Sequence, residues 1–387
     1  MAMAVRVVEG LFGFLIVVGV LLDVFQTVVM PRPVAGRVRA SRYLVRGLWA
    51  AVRWLSLRIR NVSKRESLLG SFGPFSVLAM LAMWVVLLLL GYAFILDSLR
   101  DQVRPQPSGL GTSLYFAATS MFTIGFGDYV PIQAPARLVS IAAGATGLGM
   151  FALVITFLYS LTAAFQRREV VVVTIEAGAG APPSGVNLLE TYALAGVTED
   201  LGRSFERWQE WAAELLDSQL SYPSLAYFRS SHDNDSWIGS LGAVMDAATL
   251  ILTTIEESSG GPGSNEVPLP RSVKGWAKLA RSVGGHCIED MVLYFRLADG
   301  REPGVELEEY RAARTRLALA GYRLRPEAEA WEAFREQRGR YAVRINSLAE
   351  FWASPPAQWI GDRSPLKHRV HHDGHVFSSP RTDSTQG

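Results

Sequence analysis

Residues 119–131 read TSMFTIGFGDYVP. Gly125 and Gly127 alternate with Ile124 and Phe126, and glycine enters left-handed backbone without a Cβ penalty. An apolar, aromatic run at 114–122 precedes them and has the character of a short helix. The whole of 109–131 is apolar, yet too short and too rich in glycine to cross a bilayer core of about 30 Å. It is expected to re-enter: a helix descends and an irregular loop returns. Irregular backbone at that depth is tolerated only where protein covers it or it lines a watery cavity. The stretch therefore demands membrane spans around it.

Those spans are present. The chain has 387 residues, 49% hydrophobic and only 19% charged, where soluble domains carry about 25% charged residues. A purely soluble enzyme and a disordered chain are both excluded. Apolar runs at 8–30, 75–96 and 138–165 are each long enough to cross. Asp23 interrupts the first, and no small-residue cleavage site precedes Pro31, so it is expected to be a retained span. Cys287 is the single cysteine, which excludes an intrachain disulfide and a cysteine-based zinc site.

Charge orients the spans. Ten basic residues lie between positions 31 and 68 against Glu66 alone, whereas 166–387 is net acidic. Short loops rich in Lys and Arg stay cytoplasmic. The predicted topology has the N-terminus outside, 31–68 inside, 98–137 outside and 166–387 cytoplasmic, in the cell membrane. Within the basic belt, 41–60 alternates Arg with Leu, Val and Trp. It is expected to be an amphipathic helix on the anionic inner leaflet; the alternative is a solvated helix packed on the acidic region.

Thr123-Ile124-Gly125-Phe126-Gly127-Asp128 resembles the selectivity filter of the potassium channel family, T-x-G-[YF]-G-D. The resemblance covers about 75–165, the two-helix pore module. It implies K⁺ held in the filter by successive backbone carbonyls that replace its hydration shell. It also implies a Thr123 hydroxyl adding an inner oxygen ring and Asp128 drawing cations to the outer mouth. The run LDVFQTVVMPRP at 22–33 resembles the N-terminal helix of uncharacterised bacterial members, a group similar to two-pore-domain channels with an extra N-terminal helix. SYPSLAYFRSS at 221–231 resembles a segment of the same group, with no ligand assigned. Three positions depart from the pattern. Phe122 replaces a Thr and narrows or dries the inner entrance. Thr119 replaces the carboxylate that some members place behind the filter. Phe126 replaces the commoner Tyr and loses its bracing hydroxyl.

One pore loop supplies one carbonyl strand, and a ring of four therefore needs a homotetramer. A voltage sensor would need Arg at every third position of a span, and none is visible. Gly144 and Gly147 are either close-packing positions or a hinge, with Phe151 and Ile155 as gate candidates. Asp23 is an intramembrane carboxylate, functional by default: either a structural latch to an Arg of 32–46 or a coupler of the first helix to the gate.

After Phe165 no dinucleotide-binding fingerprint holds, because Pro182 and Pro183 occupy the helix start that it requires. Thr198 and Ser236 cap expected helices to about 220 and 256, and further helices fit 271–297, 306–320 and 327–352. The expected fold class is an all-α membrane protein: a pore module of outer helix, pore helix, filter loop and inner helix, an N-terminal transmembrane helix and an all-α cytoplasmic domain. The expected domains are 1–70, 71–168, 169–353 and a flexible tail, 354–387. Within the tail, His368, His371, His372 and His375 are a weak metal-ligand candidate. No organic cofactor, nucleic acid or enzymatic activity is expected. The expected function is a K⁺-selective channel gated through the cytoplasmic domain. The alternatives are a weakly selective cation channel and a non-conducting scaffold.

Overall fold

The computed structural model describes residues 2–30, 39–230, 236–259, 266–298 and 304–361. The histidines at 368–375 lie outside these. The chain is an all-α membrane protein; among the described residues, three helices are long and apolar enough to cross a bilayer. It divides into two compact units: Met1–Ser56, Leu68–Phe165 and Ser218–Phe228 form a membrane unit, and Leu57–Ser67, Gln166–Asp217 and Arg229–Gly387 form a helical unit.

In the membrane unit, α1 (Ala2–Val24) ends in a π-helical turn, Phe25–Val29. Helix α2 (Ala40–Ser56) lies within the basic belt. It buries Val45 and Trp49 and exposes Tyr43 and Trp54. Helix α3 (Val62–Ser98) has 37 residues, about 55 Å at 1.5 Å per residue, so it overruns the apolar core. Small residues bring α1 and α3 together: a Cβ on Gly13 would lie 2.5 Å from the Gly91 carbonyl. Such positions let membrane helices approach backbone to backbone.

Helix α4 (Leu110–Met121) precedes the glycine loop and starts four residues before the predicted run. Two-residue strands, β1 (Val103–Arg104) and β2 (Val130–Pro131), pair antiparallel just beyond the loop. Helix α5 (Ala134–Ala179) has 46 residues. It continues well past the expected span, so the boundary drawn at 168 falls inside it. The β-branched stretch 170–175 stays helical, with Val172 and Ile175 buried.

The helical unit begins on α5 and adds α6 (Gly185–Leu194), α7 (Leu201–Ser221), α8 (Trp237–Thr253), α9 (Arg271–Phe295), α10 (Leu307–Leu319) and α11 (Glu327–Phe351). Helix α8 is the buried centre, with nearly every residue inaccessible. Ser236 caps it as predicted, accepting the Gly239 amide at 2.9 Å. Thr198 instead lies in a 3-10 turn, and its hydroxyl donates to the Pro268 carbonyl at 2.6 Å. Glu306 and Glu309 form a capping box at the start of α10. Helix α6 was not expected. Its cap, Ser184, accepts the Asn187 amide at 3.2 Å and stands directly after Pro182-Pro183.

Candidate functional site: the glycine loop and its supports

The loop starts where α4 runs out of partners. The Phe122 and Thr123 amides donate to the Ala118 and Ser120 carbonyls at 2.9 and 3.1 Å, and the Ile124 and Gly125 amides both reach Thr119 O, at 2.9 and 3.2 Å. Helix α4 thus holds the first half of the loop through otherwise orphan carbonyls of its last turn. Thr119 contributes its backbone here, and its side chain turns back to the Phe116 carbonyl at 3.0 Å.

Backbone handedness then alternates. Thr123, Gly125 and Gly127 have φ of +55°, +59° and +80°, while Ile124 and Phe126 are not among the positive-φ residues. In an ordinary strand successive carbonyls face opposite sides. Inverting φ at every second residue turns alternate peptide units over, so successive oxygens can face one side. Glycine accommodates this freely at two of the three positions, and Thr123 carries the cost of a non-glycine left-handed residue. Residues 122–128 are all exposed within one chain, Phe126 at 69%.

The exit of the loop is tied down. Val103 and Arg104 pair with Pro131 and Val130, Ile132 N donates to Gln102 O at 2.8 Å, and Arg137 Nε donates to Pro131 O at 3.1 Å. The Tyr115 side chain on α4 lies beside Asp128. Sequence reasoning left Asp128 without a partner because Thr119 is not a carboxylate; the structure supplies a phenol one turn earlier. Arg6 of α1 pairs with Asp101, whose other carboxylate oxygen accepts Gln106 Nε2 at 2.7 Å.

The inner helix backs the loop through its glycines. A Cβ on Gly147 would stand 1.8 Å from the Met121 carbonyl, and one on Gly144 would stand 3.3 Å from Ser120 O. Both glycines let α5 lie against the end of α4. Phe151 and Ile155 are 67% and 54% exposed, on the same face of α5 as Leu148 and Tyr159.

Asp23 lies away from the loop, with a different set of partners. Its carboxylate accepts Trp84 Nε1 at 2.7 Å, the Ser41 amide at 3.2 Å and the Ser41 hydroxyl at 3.0 Å. Among the described residues these donors are neutral; Arg32 and Arg37, within the stretch expected to hold the arginine partner, lie outside the described residues. Ser41 lies in the first turn of α2, where unsatisfied amides and the helix dipole already favour a negative group. Trp84 and Ser41 were missed because nothing local in the sequence marks either as a partner of residue 23. No group of three or more His, Cys, Asp or Glu residues able to hold a metal occurs among the described residues.

Residues 79–163 match the ion channel family model. That segment contains α4, the glycine loop and most of the apolar parts of α3 and α5. The chain is also 23% identical over 250 residues to the uncharacterized membrane protein YdjJ of Bacillus subtilis, spanning 63% of this chain and 70% of the relative. No solved structure matches. The matched region and the candidate spans support a multi-pass membrane protein with an ion channel domain.

Proposed function

We propose that the chain forms a homotetrameric, K⁺-selective channel. The observation that carries the reading is the alternating left-handed backbone at Thr123, Gly125 and Gly127, inside a segment matched to ion channels. Four copies of this loop around one axis give stacked rings of carbonyl oxygens, and such rings replace the water shell of a dehydrated cation. The exposure of residues 122–128 within one chain supports assembly, since a filter needs neighbouring copies around it. Thr123 Oγ1 adds the innermost ring, and Asp128, beside Tyr115, supplies negative charge at the outer mouth. K⁺ is the conducted ion, with no organic cofactor and no nucleic-acid partner.

In this reading 31–68 and the helical unit lie on the cytoplasmic side and the N-terminus outside, because short loops rich in Lys and Arg stay cytoplasmic. Helix α2 lies on the anionic inner leaflet with Tyr43 and Trp54 toward lipid. The ligand that the helical unit senses is unassigned. A second reading, a weakly selective cation channel, is favoured by Phe126, whose exposed ring lacks the bracing hydroxyl of tyrosine.

Flux into proteoliposomes under imposed K⁺ or Na⁺ gradients tests both readings. Ba²⁺-sensitive K⁺ flux without Na⁺ flux, abolished by Gly125→Asp, is the expected result. Equal K⁺ and Na⁺ flux selects the second reading. Absence of flux in both salts, in the full chain and in one lacking residues 170–387 that still assembles, overturns both in favour of a non-conducting scaffold.

A further inference from the structure

Residues 218–228 belong to the membrane unit, although the chain on either side of them, α7 up to Asp217 and the segment from Arg229, belongs to the helical unit. Their centre is a 3-10 turn, Pro223–Tyr227, in which Leu225 is fully buried in the apolar core of the membrane unit. The segment satisfies its own backbone: Leu225 N donates to Tyr222 O at 2.8 Å and Phe228 N to Leu225 O at 3.0 Å. This lets non-helical backbone lie among apolar groups under the cover of protein.

Its aromatic residues contact three different helices. Tyr222 lies against Phe157 and Phe228 against Phe165, both on α5, with ring centroids 5.9 and 5.7 Å apart. Tyr227 lies 5.4 Å from Phe72 on α3 and 5.4 Å from Trp49 on α2. Gly73 on α3 receives the Phe228 ring so closely that a Cβ there would lie 2.8 Å from it. Helix α3 and residues 157–165 of α5 are therefore bridged by this segment.

We propose that residues 222–228 are an autoinhibitory wedge. They fill the space between α3 and residues 157–165 of α5, into which that stretch of α5 would swing for the pore to widen. The proposal rests on the channel reading above. The wedge is covalently continuous with α7 on one side and with Arg229 on the other. Arg229 donates to Glu66 Oε2 at 2.6 Å and to the Ala353 carbonyl at 2.6 Å, all within the helical unit. A rearrangement of the helical unit that draws on either end withdraws the wedge.

The test uses the full chain in proteoliposomes. Cys287 is buried, and burial pushes its thiol up, so introduced cysteines react selectively. Phe228→Ala is expected to raise K⁺ flux about tenfold, the scale of one lost aromatic contact. It is also expected to raise the rate at which a charged thiol reagent modifies Tyr159→Cys on α5. A Phe165→Cys/Phe228→Cys pair joined by a short bis-methanethiosulfonate keeps the wedge packed and is expected to lower flux and Tyr159→Cys modification, both restored by dithiothreitol. Unchanged modification in Phe228→Ala, or in the cross-linked protein where Phe228→Ala fails to fold, overturns the wedge. Modification that shifts while no variant conducts supports the wedge and overturns the channel reading instead. Flux that is lost with Gly125→Asp but ignores both wedge variants does the reverse.

Discussion

Asp23 in the membrane unit and Asp246 in the helical unit are both buried aspartates, 5% and 1% exposed, held by different chemistry. Asp23 accepts from an indole, a hydroxyl and a backbone amide. Asp246 accepts Arg338 Nε at 3.0 Å and the Tyr341 hydroxyl at 2.5 Å, while Arg338 Nη2 holds the Trp359 carbonyl at 2.6 Å. The first site joins α1, α2 and α3 through graded, neutral donors. The second joins α8, α11 and the C-terminal turn through a full countercharge. Loss of a donor at Asp23 leaves others in place, whereas loss of Arg338 leaves a buried charge without its cation. The membrane site is therefore suited to small adjustments, and the helical unit is built to hold one arrangement.

The largest expected effect breaks the second site. Arg338→Met should destabilise the helical unit by about 3–5 kcal/mol, the usual result of removing one partner of a buried pair. Thermal unfolding followed by tryptophan emission in detergent checks this, and Asp246→Asn/Arg338→Met should recover part of the loss. Equal stability of Arg338→Met and wild type would remove the contrast with Asp23.

The next test is at the membrane site. Asp23→Asn replaces an acceptor-only group with one that presents an NH₂ to donors. About 2 kcal/mol of stability should be lost, the scale of hydrogen bonds to a charged group. Because the donors serve α2, faster proteolysis near residues 40–56 should accompany the loss in Asp23→Asn and not in Arg338→Met.

An alkaline titration sharpens the contrast. Burial pushes the Tyr322 phenol up, and burial with the Asp246 charge pushes Tyr341 up. Above pH about 10 the unfolded chain loses these protons while the folded chain keeps them. The unfolded state then binds fewer protons, so stability falls as pH rises. The expected slope is about 1.4 kcal/mol per pH unit for each phenol, and Tyr322→Phe/Tyr341→Phe should flatten it in the helical-unit transition.

How much of this was legible in the sequence differs by element. The glycine loop was legible because backbone of its alternating handedness favours glycine at set positions, 125 and 127. The spans were legible from apolar length, and the α8 cap from Ser236 standing before an apolar run. Helix α6 was hidden because the glycine and proline residues at 178–185 drew attention as a possible nucleotide loop, and Ser184 was passed over as a cap. The β-branched residues 170–175 stay helical because tertiary burial of Val172 and Ile175 outweighs a weak local preference. Trp84 and Ser41 at Asp23, and the burial of 222–228 in the membrane unit, depend on contacts between residues far apart in sequence. Such contacts leave no periodicity to read.

The smallest expected effect isolates the helix-terminus part of the Asp23 site. Ser41→Ala removes the hydroxyl donor at 3.0 Å and leaves the backbone amide of the same residue at 3.2 Å. It also removes the 3.3 Å contact between the Ser41 and Thr27 hydroxyls. Trp84 and the first-turn dipole of α2 still face the carboxylate. The loss should therefore be about 1 kcal/mol, one net hydrogen bond, and clearly below that of Asp23→Asn. A loss equal to Asp23→Asn would mean that the hydroxyl alone holds α2 and that the amide and indole contribute little. A smaller loss keeps the site graded, in contrast to the all-or-none pair at Asp246 and Arg338.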